Sequence, residues 1–142
     1  MNRRLTMMVV VLVVFLGSAF FVFGANAEET VDYLQERNGV YYKVNEEKGF
    51  TGRFLKFYWN GQKKEEFRTV NGKIEGQVVS YYSTGQMKAF GEFKDGKPVG
   101  ALLQYYENGQ KKSSSYFENG KLRGQKKYYE DGRLESENYY VD

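Results

Sequence analysis

The side chains that could perform acid–base chemistry are three carboxylates, Glu65, Glu66 and Glu92. Glycoside hydrolysis needs two carboxyl groups about 5–10 Å apart in a concave site. Nothing in the placement of these three residues indicates such a pocket. The chain also has no histidine and no cysteine, so the commonest general base and every thiol nucleophile are missing. The sequence therefore predicts a protein that is not an enzyme and needs no cofactor or metal.

Binding chemistry is better represented, in two sets of lysines that recur at an interval of 24 residues. The first set is Lys64, Lys88 and Lys112. The second set is Lys73, Lys97 and Lys121. In stacked hairpins each set would form a row of positive charges about 10 Å apart. Such a row could dock an acidic protein, a phospholipid headgroup or an anionic glycan; alternatively, the lysines only keep the sheet soluble and its edges unpaired.

The overall charge adds no argument for a nucleic-acid partner. The formal net charge is +3, and Arg3 and Arg4 supply two of those charges at the very start of the chain. The rest of the chain is nearly neutral, with acidic residues interspersed among the lysines. A strongly basic surface, the usual electrostatic footprint of nucleic-acid binding, is therefore not expected.

Paired aromatic residues recur at nearly the same interval as the lysines. The pairs are Phe57-Tyr58, Tyr81-Tyr82, Tyr105-Tyr106 and Tyr128-Tyr129. Because adjacent residues of a strand point to opposite faces, one member of each pair should pack and the other should be partly exposed. We expect the second members, Tyr58, Tyr82 and Tyr106, to form a contact surface together with Lys64, Lys88 and Lys112. The alternative is that these rings are simply the core of a thin sheet.

Eleven glycines at regular spacing indicate the fold, and we expect them to be structural turn residues. The leading set, 24 residues apart, is Gly52, Gly76, Gly100 and Gly124. The second set follows the aromatic pairs: Gly61, Gly85, Gly109 and Gly132. The third set is preceded by Asn or Asp: Gly72, Gly96 and Gly120. Asn-Gly and Asp-Gly pairs favour hairpin turns, and glycine this frequent would break any helix.

The sequence therefore predicts an all-β fold, an elongated single-layer antiparallel β-meander of tandem 24-residue hairpin repeats. Alternation along each first strand assigns its two faces. One face should be apolar and aromatic: Leu55, Phe57, Val79, Tyr81, Leu103 and Tyr105. The opposite face should be mixed: Phe54, Lys56, Tyr58, Val78, Ser80, Tyr82, Leu102, Gln104 and Tyr106.

The beginning of the chain is typical of a secretory signal peptide. Two arginines precede an apolar run from Met7 to Gly24, and Ala25-Asn26-Ala27 is a small-x-small cleavage site. We expect a cleavable signal helix over 1–27 and export to the periplasm or the extracellular space after cleavage near Ala27. An uncleaved signal anchor in the inner membrane is the alternative, because the run is just long enough to cross a bilayer.

The rest of the chain divides into a lead-in and an array. Residues 28–51 are predicted to be an acidic lead-in with a degenerate half-repeat that caps the array, and its start, 28–37, could be a strand or a brief helix. Residues 52–142 are predicted to be the repeat array. Its units are 52–75, 76–99, 100–123 and the partial unit 124–142.

The repeated pattern of aromatic pair, Asn-Gly turn and Asn/Asp-Gly-Lys turn resembles the MORN-variant repeat, from Gly39 to Asp142. It is similar to arrays in the YwqK family of antitoxins. This resemblance implies binding rather than chemistry, since related arrays are associated with protein or phospholipid contacts. We therefore expect an exported, non-catalytic protein–protein interaction module. The alternatives are an envelope-associated module that binds anionic lipid or glycan through its lysines, and a toxin-neutralising immunity protein, although a cytoplasmic immunity protein would not carry a secretion leader.

Overall fold

The computed structural model describes residues 28–141, and these residues form an all-β protein. The signal helix predicted for 1–27 lies outside the described residues. The lead-in contains β1 (Thr30–Val31), β2 (Gln35–Arg37) and β3 (Val40–Tyr42). The array contains β4 (Gly52–Phe57), β5 (Lys63–Val70), β6 (Lys73–Ile74), β7 (Gly76–Tyr81), β8 (Met87–Lys94), β9 (Lys97–Tyr105), β10 (Lys111–Glu118), β11 (Lys121–Tyr128) and β12 (Leu134–Tyr139).

Successive strands of the array pair in chain order, as a meander does. The sheet runs β4-β5-β7-β8-β9-β10-β11-β12, all antiparallel, and the short β6 pairs with β5. The prediction of an all-β fold built from antiparallel hairpins is confirmed. One pairing was not foreseen: β1 joins the sheet beside β4 in parallel. The start of the lead-in is thus a strand rather than a brief helix.

The hairpins are closed by two different kinds of turn that alternate along the chain. At the third set of glycines, Asn71 and Gly72 have φ of 50° and 80°. Positive φ at both central residues is characteristic of a two-residue type I′ turn, and asparagine and aspartate tolerate it better than most residues. Asp95-Gly96 and Asn119-Gly120 repeat this geometry. At the second set only the glycine has positive φ, for example 89° at Gly85, which explains why threonine is accepted before it at position 84.

The leading glycines do not make turns, in contrast to the prediction for Gly52, Gly76, Gly100 and Gly124. Gly52 and Gly76 begin strands β4 and β7, whereas Gly100 and Gly124 lie inside β9 and β11. Near Gly124 the register shifts, because Tyr116 is opposite Gly124 while Phe117 is opposite Leu122. Arg123 is the extra residue of this bulge, and Gly124 has no positive φ, whereas Gly76 and Gly100 have φ of 85° and 66°, values that glycine adopts without strain. For Gly76, Gly100 and Gly124, the turn is the Asn/Asp-Gly pair that lies four to five residues earlier in the chain.

The most tightly packed part of the molecule lies at the start of the array. Phe54 and Phe67 face each other across β4 and β5, with ring centroids 4.6 Å apart, and are 7% and 4% exposed. The Tyr41 ring lies 5.2 Å from Phe67, and Phe50 is 3% exposed. Burial of each phenylalanine contributes roughly 1.5–3 kcal/mol. The lead-in therefore forms a small second layer over the first repeat.

This packing corrects the assignment of faces in the first repeat. Phe54 was expected on the mixed face and Phe57 on the apolar face, yet Phe54 is buried and Phe57 is 51% exposed. The reason is that the lead-in covers the Phe54 side: the Tyr41 amide donates to the carbonyl of Gly72, and the Gly72 amide donates to that of Phe50. Leu55, on the same side as Phe57, is only half-buried.

Candidate binding surface

Three β-bulges place the first set of lysines. Lys56 is opposite Glu65 while Phe57 is opposite Lys63, so Lys64 is the extra residue of β5. Lys88 and Lys112 are the extra residues at the same place in β8 and β10. A bulge breaks the alternation of the strand and redirects the side chain of the extra residue. The repeated bulge thus gives all three lysines the same environment.

Each of these lysines lies over the ring of a tyrosine from the same hairpin. The distances from Nζ to the ring centroid are 5.4 Å for Lys64 and Tyr58, 5.6 Å for Lys88 and Tyr82, and 5.4 Å for Lys112 and Tyr106. These are cation–π distances. The structure therefore brings together all six residues that the sequence indicated as a contact surface. We call Lys64, Lys88 and Lys112 the cationic row.

The tyrosines under the cationic row also join one repeat to the next. Tyr58 Oη donates to the carbonyl oxygen of Tyr81 at 2.8 Å, and Tyr82 and Tyr106 repeat the bond to Tyr105 and Tyr128. All three donor rings remain half-buried. Burial, followed by the nearby carboxylate of Glu107, raises the pKa of Tyr82, so its hydroxyl stays protonated and able to donate. These tyrosines hold the array together and also line its surface.

The tyrosine series has a fourth member that the sequence interpretation missed. Tyr129 has Arg133 over its ring at 5.5 Å. Arg133 follows the turn glycine by one residue rather than three, and the equivalent bulge position in the last hairpin holds Glu135. Because Arg133 does not follow the spacing of the lysines, the sequence pattern does not indicate this contact. Arg133 is also paired with Asp131 at 2.7 Å, so the unneutralised charges end at Lys112.

The two predicted lysine rows differ in their electrostatic state. Within residues 28–141 no member of the cationic row has a carboxylate at salt-bridge distance, and all three lysines are exposed. At the opposite end of the strands, Lys73 pairs with Asp95 at 2.8 Å, which lowers the pKa of that carboxyl. Only the cationic row offers three regularly spaced charges without a carboxylate partner in the described part of the chain.

A second series of cation–aromatic contacts lies on the other face and was not predicted. Lys63 lies 5.9 Å from the Tyr81 ring, and Lys111 lies 6.0 Å from the Tyr128 ring. Lys63 also pairs with Glu66 at 2.6 Å. Adjacent lysines of one strand, such as Lys63 and Lys64, therefore serve opposite faces, and the charge of Lys63 is already neutralised.

The three carboxylates considered for catalysis do not form an acid–base pair. Glu65 and Glu66 are neighbours in β5 and so point to opposite faces, and Glu92 lies two strands away in β8. Glu66 is bonded to Lys63 and to Arg53. The hydrogen bond from Lys63, more than any other contact, lowers the pKa of Glu66, which is the opposite of what a general acid needs.

Neither a membrane helix nor a metal site is found in the part of the chain that the structure describes. Over residues 28–141 there is no helix of the length and apolarity needed to cross a bilayer. No group of three or more carboxylates there is arranged to hold a metal ion. The described residues thus form a tandem β-hairpin repeat protein whose distinctive surface is the cationic row.

Comparison with known families agrees with this class. Residues 98–115, 111–126 and 125–142 match the MORN repeat variant at three consecutive positions. The match covers β9 to β12 and is narrower than the resemblance from Gly39 onward. No curated protein and no solved structure matches the chain, so no relative supports the YwqK assignment. MORN repeats are in general non-enzymatic modules that bind proteins or membranes.

Proposed function

We propose that this protein is an exported, non-catalytic repeat protein that binds an acidic protein partner through the cationic row. The observation that carries the proposal is the state of Lys64, Lys88 and Lys112. Each is the extra residue of a bulge, lies over a tyrosine ring and has no carboxylate partner within residues 28–141. A charge that the fold positions but does not neutralise is available to an anionic ligand.

Holding lysine over a ring suits this role better than holding it in a salt bridge. A cation–π contact at an exposed site contributes about 0.5–1 kcal/mol and leaves the ammonium its full charge and its hydrogen-bond donors. The ring restricts a flexible side chain before the partner arrives, which reduces the entropy lost on binding. The half-buried tyrosines beside each lysine add the kind of surface that is enriched in protein interfaces.

A membrane surface is the second candidate, because of one residue. Trp59 follows Tyr58 at the tip of the first loop and is 95% exposed. Tryptophan is favoured at the headgroup level of membranes, and lysines beside it would attract anionic lipids. A toxin-neutralising role would be one form of protein binding, and it predicts a toxin gene beside the gene of this protein.

The test compares two triple variants with the same change in charge. K64Q/K88Q/K112Q removes the cationic row, whereas K73Q/K97Q/K121Q removes the row at the opposite end of the strands. Binding of the mature chain to immobilised poly-glutamate should weaken by about tenfold or more in the first variant only. The affinity of the unaltered mature chain should also decrease as the salt concentration is raised from about 0.05 to 0.3 M. Equal losses in both variants would contradict the proposal. Tighter binding to phosphatidylglycerol vesicles than to poly-glutamate, lost in Trp59→Ala, would favour the membrane instead.

A further inference from the structure

The spacing of the cationic row is set by the sheet. Lys64, Lys88 and Lys112 lie in β5, β8 and β10, and each pair of neighbours is separated by one intervening strand. Two strand spacings are about 9.4–9.8 Å. The tyrosines beneath them recur at the same interval, because each follows every second strand. A partner that contacts every member must therefore repeat its own chemistry at about this distance.

Regular polypeptide conformations differ in the distance between successive side chains that point to the same face. An extended strand repeats on one face every two residues, at about 6.6 or 13 Å, and neither distance fits. An α-helix repeats every seven residues at about 10.5 Å, an error of about 2 Å after two intervals. A polyproline II segment has three residues per turn and a rise of 3.1 Å, so every third residue recurs at about 9.3 Å. Only the polyproline II repeat stays in register with all three lysines of the cationic row.

From this match we infer that the partner segment is a polyproline II helix with an acidic side chain at every third position, lying across the strands along the cationic row. The inference rests on the proposed function and specifies its ligand. Each carboxylate would meet one of the three lysines, and one of the two residues between carboxylates would lie against the tyrosine surface, since the three residues of a turn point about 120° apart. Tyr58, Tyr82 and Tyr106 are half-buried and spaced by one turn of such a helix.

Two further features of the surface fit this ligand. Polyproline II segments have no internal hydrogen bonds, so their carbonyl groups remain acceptors, and each lysine ammonium has three donors. Such segments are commonly recognised by aromatic-lined surfaces, since they are already ordered and lose little entropy on binding. The tyrosine hydroxyls are already bonded to the next repeat, so the rings are held in fixed positions.

The opposite end of the strands provides an internal control for spacing alone. Lys73, Lys97 and Lys121 recur over the same number of strands. They follow type I′ turns rather than bulges, and Lys73 is paired with Asp95. If spacing were sufficient, this row would bind the same ligand. We expect it not to, because its first charge is neutralised by a carboxylate.

The experiment measures binding of synthetic peptides to the mature chain by calorimetry. Four repeats of Glu-Pro-Pro place a carboxylate on one face at every turn. A peptide of four Glu-Pro-Pro-Pro repeats has the same charge, but each carboxylate is rotated by about 120° from the last. We expect the first peptide to bind at least about tenfold more tightly than the second. K64Q/K88Q/K112Q should remove this preference, and K73Q/K97Q/K121Q should retain it.

The other outcomes separate this inference from the proposed function. Equal affinity for the two peptides, weakened by K64Q/K88Q/K112Q, would overturn the spacing argument and leave the cationic row as the binding surface. Tighter binding of a helical peptide with glutamate at every seventh position would replace polyproline II by an α-helix. Failure to bind either peptide or poly-glutamate would refute both the ligand and the proposed function.

Discussion

The hydroxyl of Tyr82 donates a hydrogen bond of 2.7 Å to the carbonyl oxygen of Tyr105, one repeat further along the chain. This bond links successive hairpins in addition to their strand pairing and to the contact of Thr84 with Glu107. The same tyrosine supports Lys88 on its ring. One side chain therefore serves both the cohesion of the array and the arrangement of its surface, and a substitution can separate these two roles.

Tyr82→Phe should remove the link between repeats and keep the support for Lys88. A hydrogen bond of this kind contributes about 1 kcal/mol, and the free energy of unfolding should fall by that amount in urea denaturation. Tyr81→Phe is the matched control, because the Tyr81 hydroxyl makes no hydrogen bond within residues 28–141. A loss as large in Tyr81→Phe would show that the ring environment, rather than the bond, decides the stability.

Thr84→Asn should stabilise the protein. At the equivalent positions, Asn60 and Asn108 accept a bond from the amide two residues on and donate to a carbonyl of the next repeat. Asparagine at position 84 could accept from Gln86 and donate to Glu107 in the same way. We expect a gain of about 0.5–1.5 kcal/mol by thermal or urea unfolding. Thr84→Ala, which can form neither bond, should show no gain; a gain there would contradict this reasoning.

The regular part of the fold could be predicted because its turns impose strict demands on residue type. Positive φ at Asn119 and Gly120 restricts that turn to Asn-Gly or Asp-Gly, so the pattern is visible in the sequence. Opposite orientation of Tyr81 and Tyr82 also follows from strand alternation alone. The same reasoning failed for Gly100 because a bulge glycine and a turn glycine look identical in a single sequence.

The packing of the lead-in and the contact of lysine with tyrosine could not be predicted from periodicity. Residues 28–51 carry only a degenerate half-repeat, so nothing indicated that the Tyr41 ring would contact Phe67 or that Phe50 would be buried. Lys64 lies beside Tyr58 because a bulge redirects it, and the sequence carries no separate signal for that bulge. Both depend on contacts between segments rather than on local preference.

Gly72→Ala should be more destabilising than Gly109→Ala. Both glycines have positive φ, 80° and 84°, so each substitution brings about 1–2 kcal/mol of backbone strain. A Cβ at Gly109 would meet nothing within 4 Å, whereas one at Gly72 would lie 2.4 Å from Val40 and 2.8 Å from the Tyr41 carbonyl. The added clash should cost a further 1–3 kcal/mol, approximately. Equal losses in urea denaturation would show that the lead-in does not pack on this turn.

Export predicts a defined mature N-terminus. When the full chain is expressed in a bacterial host, cleavage after Ala27 should leave a protein that starts at Glu28, as measured by intact mass of the exported fraction. Ala25→Leu should block processing, because signal peptidase requires a small residue at that position. A full-length chain in the membrane fraction without this substitution would instead support the signal anchor.

Glu66 should make the stability depend on pH in the acid range. Its hydrogen bond from Lys63 and its pair with Arg53 lower the pKa of this carboxyl below its ordinary value of 4.5. A lowered folded-state pKa means that the stabilisation is complete above the unfolded value and is lost as the pH falls through the folded one. Glu66→Gln should therefore lose about 1 kcal/mol at pH 7 and approach the wild type in acid. Glu65→Gln is the control for the change in charge, since Glu65 has no ion pair within residues 28–141. A constant difference between Glu66→Gln and the wild type across this range would exclude the ionisation of Glu66 as the cause.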